Sequence, residues 1–149
     1  MLKKLENYNS SYKGATDKNG ERDGFGTCNF ADGSIYEGNW KNGLRNGYGK
    51  YTFSNGAIYD GNWENDLMHG KGKISIPKTN EVIETEWVKG YRHGNGIITK
   101  SNGRKSEVLY YKDLEIKQDD QNPDLSDKSI FNFVLVVIAL GCVLTGILL

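Results

Sequence analysis

One spacing constrains this chain more than any other. Tyr36, Gly38, Trp40, Gly47 and Gly49 return as Tyr59, Gly61, Trp63, Gly70 and Gly72, a step of 23 residues. Such a period has to be settled first, because it decides the architecture. Within the unit, Tyr36, Gly38 and Trp40 alternate with Glu37, Asn39 and Lys41, the period of two of a half-buried strand. Asn42-Gly43 is a turn dipeptide that accepts positive φ cheaply. Gly47, Gly49, Tyr51 and Phe53 then alternate with Tyr48, Lys50 and Thr52, and Ser54-Asn55-Gly56 turns the chain again. Each unit is therefore expected to be a β-hairpin with rings and glycines on one face. Glycine there leaves room for a ring from the neighbouring strand. A lone hairpin is marginal in water, and a row of them shields each member with the next.

The first unit is the loosest. Tyr12 and Gly14 open it, Thr16 stands where Trp is expected, and Cys28 and Phe30 continue the face of Gly24 and Gly26. Cys28 reads as a small buried hydrophobe. In the third unit Asp66 replaces the turn glycine, while Ile74 and Ile76 keep the face apolar. The fourth keeps Trp87, Gly90, Gly94 and Gly96 but has Ile83 for Tyr and Thr85 for Gly. Val108 and Tyr110 supply one last half-repeat strand. With 19 Gly, 2 Pro and 11% aromatics, the composition suits a turn-dense β protein. A net charge of zero gives no sign of nucleic-acid binding.

The pattern Tyr-x-Gly-x-Trp-x-x-Gly-x-x-x-Gly-x-Gly resembles the membrane occupation and recognition nexus (MORN) repeat. Tyr36 to Gly49 matches every fixed position, and Tyr59 to Gly72 all but Asp66. The resemblance covers residues 12–111. It implies an all-β fold, an elongated single-layer antiparallel sheet of repeated hairpins. It also implies a scaffold or dimerisation role, with lipid binding attributed to the family as well.

Residues 1–11 carry two lysines without a following apolar core, so no secretory signal is expected there, only a frayed or edge segment. Residues 112–129 hold three lysines against six carboxylates and read as an acidic linker. Residues 130–149 carry no charge. Twenty helical residues cover about 30 Å, the hydrocarbon thickness of a bilayer. Because the stretch is apolar all round, it is expected to be a C-terminal transmembrane α-helix. The layout is that of a single-pass tail anchor with the repeats in the cytosol, on endoplasmic reticulum or other secretory membranes.

No P-loop, nucleophile elbow or zinc spacing is present, so the chain is expected to be no enzyme, with no cofactor and no metal. His69 and His93 each precede a glycine one repeat apart, too distant to share an ion, and read as turn residues. Trp40 and Trp63 are expected to be structural, each lying across a glycine of an adjacent strand. The glycines Gly38, Gly47, Gly49, Gly61, Gly70, Gly72, Gly94 and Gly96 are structural. An unlayered sheet leaves Tyr36, Trp40, Tyr51, Phe53, Tyr59, Trp63, Ile74 and Trp87 as a candidate groove for a protein partner or a second copy. The opposite face, with Glu37, Asn39, Lys41, Tyr48 and Lys50, is expected to stay wet. The expected function is a membrane-tethered scaffold presenting a protein-interaction surface, whose partner is another protein or, in a homodimer, a second copy. The alternatives are a phospholipid-contact module or a regulatory subunit of a separate enzyme such as a phosphoinositide kinase.

Overall fold

The computed structural model describes residues 10–116. They form ten strands and, among the described residues, no helix. The strands are β1 (Ser11–Thr16), β2 (Arg22–Asn29), β3 (Ile35–Lys41), β4 (Leu44–Thr52), β5 (Ile58–Glu64), β6 (Leu67–Ile76), β7 (Glu81–Val88), β8 (Tyr91–Thr99), β9 (Lys105–Tyr111) and β10 (Leu114–Ile116). Every strand pairs antiparallel with its chain neighbours, so the sheet order is the chain order. The expected transmembrane helix at residues 130–149 lies outside the described residues. Residues 1–9 lie outside them as well.

Two kinds of turn alternate. At one edge of the sheet, two-residue turns place both residues at positive φ: Asn42 at 50° with Gly43 at 77°, Asn65 at 49° with Asp66 at 69°. Lys89-Gly90 and Lys112-Asp113 repeat them. These mirror-image turns match the right-handed twist of the flanking strands. At the other edge a glycine in the left-handed region closes the turn, at Gly33, Gly56 and Gly103. The side chain of the residue before it accepts the amide of the residue after it, from Asp32 to Ser34, Asn55 to Ala57 and Asn102 to Arg104. Such Asx contacts are why Asp and Asn precede those glycines.

The register carries a bulge that alternation alone does not announce. Gly38 opposes Gly49, yet Trp40 opposes Arg45, so one residue of β3 faces three of β4. Gly61/Gly72 and Trp63/Met68 repeat the slip. The Asn39 side chain fills the gap and donates to the Tyr48 carbonyl at 3.1 Å, as Asn62 does to Lys71 at 3.2 Å. Gly47 and Gly70 take the positive φ there.

Ser11, in the segment expected to be frayed or an edge strand, pairs with Asn29 as part of the edge strand β1. Three expectations need correction. Residues 112–116, assigned to the acidic linker, form the last turn and β10, which completes a fifth hairpin with β9. His69 and His93 are strand residues; the positive φ belongs to the glycines that follow them, because the bulge needs it. The face opposite the rings is not uniformly polar: Phe25, Ile35, Tyr48, Leu67, Val88, Tyr91, Ile97 and Leu114 are exposed there or at its margin.

Candidate interaction face

The buried core is a lattice of rings on one face. Tyr36 and Tyr59 are each 0% exposed. Each tyrosine lies flat along its own strand, its hydroxyl donating to a carbonyl three residues on: Tyr36 to Asn39 and Tyr59 to Asn62, both at 2.9 Å, and Tyr12 to Ala15 at 2.7 Å. The ring covers two glycines, one on its own strand and one on the next. A Cβ built on Gly49 would stand 2.6 Å from Tyr36 Cε2, and one on Gly72 2.6 Å from Tyr59 Cζ. The tyrosines, rather than Trp40 and Trp63, therefore lie across the glycines. The indoles stand edge-on between the tyrosines, Trp63 at 5.4 Å from Tyr36 and 5.2 Å from Tyr59 with interplanar angles of 84° and 89°. Edge-to-face packing is the favoured ring geometry. Each indole N–H reaches back one hairpin, Trp40 to the Gly26 carbonyl and Trp63 to that of Gly49, both at 3.1 Å. Trp87, whose strand carries Thr85 in the place of a glycine, has no hydrogen-bond partner for its buried N–H.

Burial pushes the Tyr36 hydroxyl up to about 12 and raises that of Tyr59 further, because a phenolate is poorly solvated there. Tyr48, on the opposite face, is raised by its hydrogen bond to the Asp60 carboxylate.

An arginine stands two residues after two of the four two-residue turns, Arg45 and Arg92, and Arg22 follows the longer first turn. Arg45 holds its guanidinium 4.3 Å from the centre of the Trp63 ring, Arg22 stands 4.6 Å from Trp40, and Arg92 4.5 Å from Tyr110. Arg45 is also forked on Asp66: its Nε lies 3.1 Å from Asp66 Oδ1, its backbone amide 2.8 Å from the same oxygen, and Nη2 donates to the Asp66 carbonyl at 3.0 Å. Arg92 and Asp113 repeat the fork. A carboxylate thus stands at a turn position that favours glycine, held by the preceding hairpin's arginine. Sequence reasoning missed these arginines, because the bulge changes the register after the turn.

Of the eight residues expected to form the groove, Tyr36, Trp40, Tyr59, Trp63 and Trp87 are buried among themselves. Tyr51, Phe53 and Ile74 are partly exposed and pack on that cluster. The structure brings Tyr51, Phe53 and Trp63 together at an open groove of about 470 Å³ with Arg45, Leu67, Met68 and Tyr91. Ile74 lies instead against both the ring cluster and a second one of Ile83, Val108 and Tyr110. Met68 occupies the position held by arginine in the flanking repeats. Among the described residues no group of three or more His, Cys, Asp or Glu is placed to hold a metal ion. His69 Nδ1 stands 3.4 Å from Glu64 Oε2 without hydrogen-bond geometry.

The MORN repeat pattern matches four segments of the chain, residues 18–35, 36–58, 59–80 and 86–103. No curated protein matches the chain.

Proposed function

The chain belongs to the MORN repeat family, and from that premise we propose that it is a non-catalytic scaffold, tethered by residues 130–149, that presents its sheet at the cytosolic face of a membrane. The observation that carries the reading is the ring face. Consecutive repeats bury most of their rings yet leave Tyr51 and Phe53 beside Trp63 in an open groove. A groove of this make-up suits an apolar side chain from a protein partner. The uncharged stretch at residues 130–149 supplies the tether, being long enough to cross a bilayer. The family is a repeat module that is generally not catalytic, in keeping with a surface of rings rather than of paired acid and base groups.

The opposite face argues against attraction to anionic lipid as the main role. Glu37, Lys50, Asp60, Lys73 and Glu84 stand side by side across β3 to β7 and alternate in sign. Lipid attraction at about 1 kcal/mol per cation needs cations in clusters. The test compares partner binding of Tyr51→Ser and Phe53→Ser with that of Lys50→Glu and Lys73→Glu in the full chain. The ring changes should weaken binding and the charge reversals should not. Loss of binding only on charge reversal would move the interaction to the opposite face.

A further inference from the structure

The five hairpins meet at β2/β3, β4/β5, β6/β7 and β8/β9, and an arginine latches three of these junctions. Across β2/β3, Arg22 stands 4.6 Å from the centre of the Trp40 ring. Across β4/β5, Arg45 lies over Trp63 and forks onto Asp66. Across β8/β9, Arg92 lies over Tyr110 and forks onto Asp113. Each arginine thus holds the ring of the hairpin that follows its own.

At β6/β7 the latch is missing. The turn amides identify the equivalent positions: Asp66 donates to the Arg45 carbonyl, Asp113 to that of Arg92, and Gly90 to that of Met68. Met68 therefore takes the arginine's place and Gly90 the carboxylate's. Trp40 and Trp63 donate their N–H to Gly26 and Gly49, while the buried N–H of Trp87 has no partner. A buried donor without an acceptor destabilises. Trp40 and Trp63 each stand between two tyrosines, and Trp87 beside Tyr59 alone. Among the described residues no cation stands over Trp87, and no ion pair crosses this junction.

The backbone ladder is not the difference. It runs for seven residue pairs at β6/β7, from Gly70–Trp87 to Ile76–Glu81, and for seven at β8/β9. On the exposed face Lys71 stands opposite Glu86 and Lys73 opposite Glu84. Exposed pairs of this kind contribute little and are screened by salt. On the ring face the two apolar clusters meet here, with Ile74 against both.

In a row of repeats each junction adds its own term to stability. Where one junction lacks what its neighbours have, the row parts there and each side opens as a unit. We propose that the array divides at β6/β7 into two cooperative blocks, β1–β6 and β7–β10, and that the second block opens while the first stays folded. The fork of Arg92 on Asp113 lies inside the second block and keeps its hairpins together. The groove spans the same junction: Trp63, Leu67 and Met68 line it from one block, Lys89, Gly90 and Tyr91 from the other. Opening of the second block takes the groove apart, and closure rebuilds it.

The test is native-state hydrogen exchange of the full chain in detergent, read by mass spectrometry at low urea. It needs no partner, so its outcome is independent of the scaffold reading. Amides of β7, β8 and β9 should open together, about tenfold or more faster than those of β3, β4 and β5. Their common urea slope should be smaller than that of global unfolding. Met68→Arg with Gly90→Asp rebuilds the latch. Aspartate already occupies the equivalent turn position at Asp66 and Asp113, and a Cβ on Gly90 meets nothing closer than 3.8 Å. The variant should slow exchange in β7–β9 about fivefold and leave β3–β5 unchanged. The proposal is overturned if both sets of strands share one opening, or if protection declines evenly toward β10 with no step at β6/β7. It is overturned equally if the folded variant slows exchange in both sets alike or in neither. Should the variant fail to fold, the presence or absence of the step in the unaltered chain decides alone.

Discussion

A side chain on Gly49 has nowhere to go. Tyr36 covers the position and is pinned by its own hydrogen bond to Asn39. Gly49→Ala should cost about 3 kcal/mol, the upper end of overpacking penalties. Gly43→Ala meets no atom within 4 Å and is strained only by its φ of 77°, so it should cost about 1 kcal/mol. Urea midpoints of the two variants, with unchanged slope, separate steric from conformational demand. The buried hydroxyl of Tyr36 makes a second prediction. Its folded pKa, about 12, lies above the unfolded value of 10.0, so the folded state holds the proton more tightly. That contribution is present in full below pH 10 and is lost as pH rises from 10 toward 12. Tyr36→Phe should flatten this part of the alkaline unfolding curve. A limb as steep as that of the unaltered protein would contradict the assignment.

Between hairpins, the fork of Arg45 on Asp66 acts as a latch. Asp66 occupies a left-handed position, φ 69°, that aspartate adopts at a cost. Asp66→Ala keeps the strain and loses the fork; Asp66→Gly loses the fork but relieves the strain. Alanine should therefore destabilise by about 2 kcal/mol and glycine by less than about 1 kcal/mol, in thermal or urea unfolding. An equal loss in both would mean that the fork alone matters. The sequence showed why an aspartate is tolerated at the turn, but not what holds it. Period, strand alternation and the Asn-Gly turn made the hairpins legible, since each is a local signal. The bulge at Asn39 is not local: it depends on how many residues of β4 face one of β3. Arg45 could not be placed over Trp63 without that register. The fifth hairpin escaped notice because β10 spans three residues and opens an acidic stretch. Glycine on the ring face was legible from spacing, whereas assigning its cover to tyrosine rather than tryptophan needed the hydroxyl contacts.

At the scale of the described array, each hairpin meets only its neighbours, so stability accumulates along the row. The ring lattice runs from Tyr12 to Trp87, and the smaller cluster of Ile83, Val108 and Tyr110 takes over toward β10. In the proposed scaffold the array offers its surfaces to a partner, and residues 130–149 hold those surfaces at a membrane. The central claim is that a scaffold of this kind works where it is tethered. It is tested most directly by fractionating cells that express the full chain or the chain without residues 130–149, with a high-salt wash. The full chain should remain with washed membranes, its repeats open to protease from the cytosolic side, and the shortened chain should be released to the supernatant. A shortened chain that still sediments with washed membranes would contradict the account.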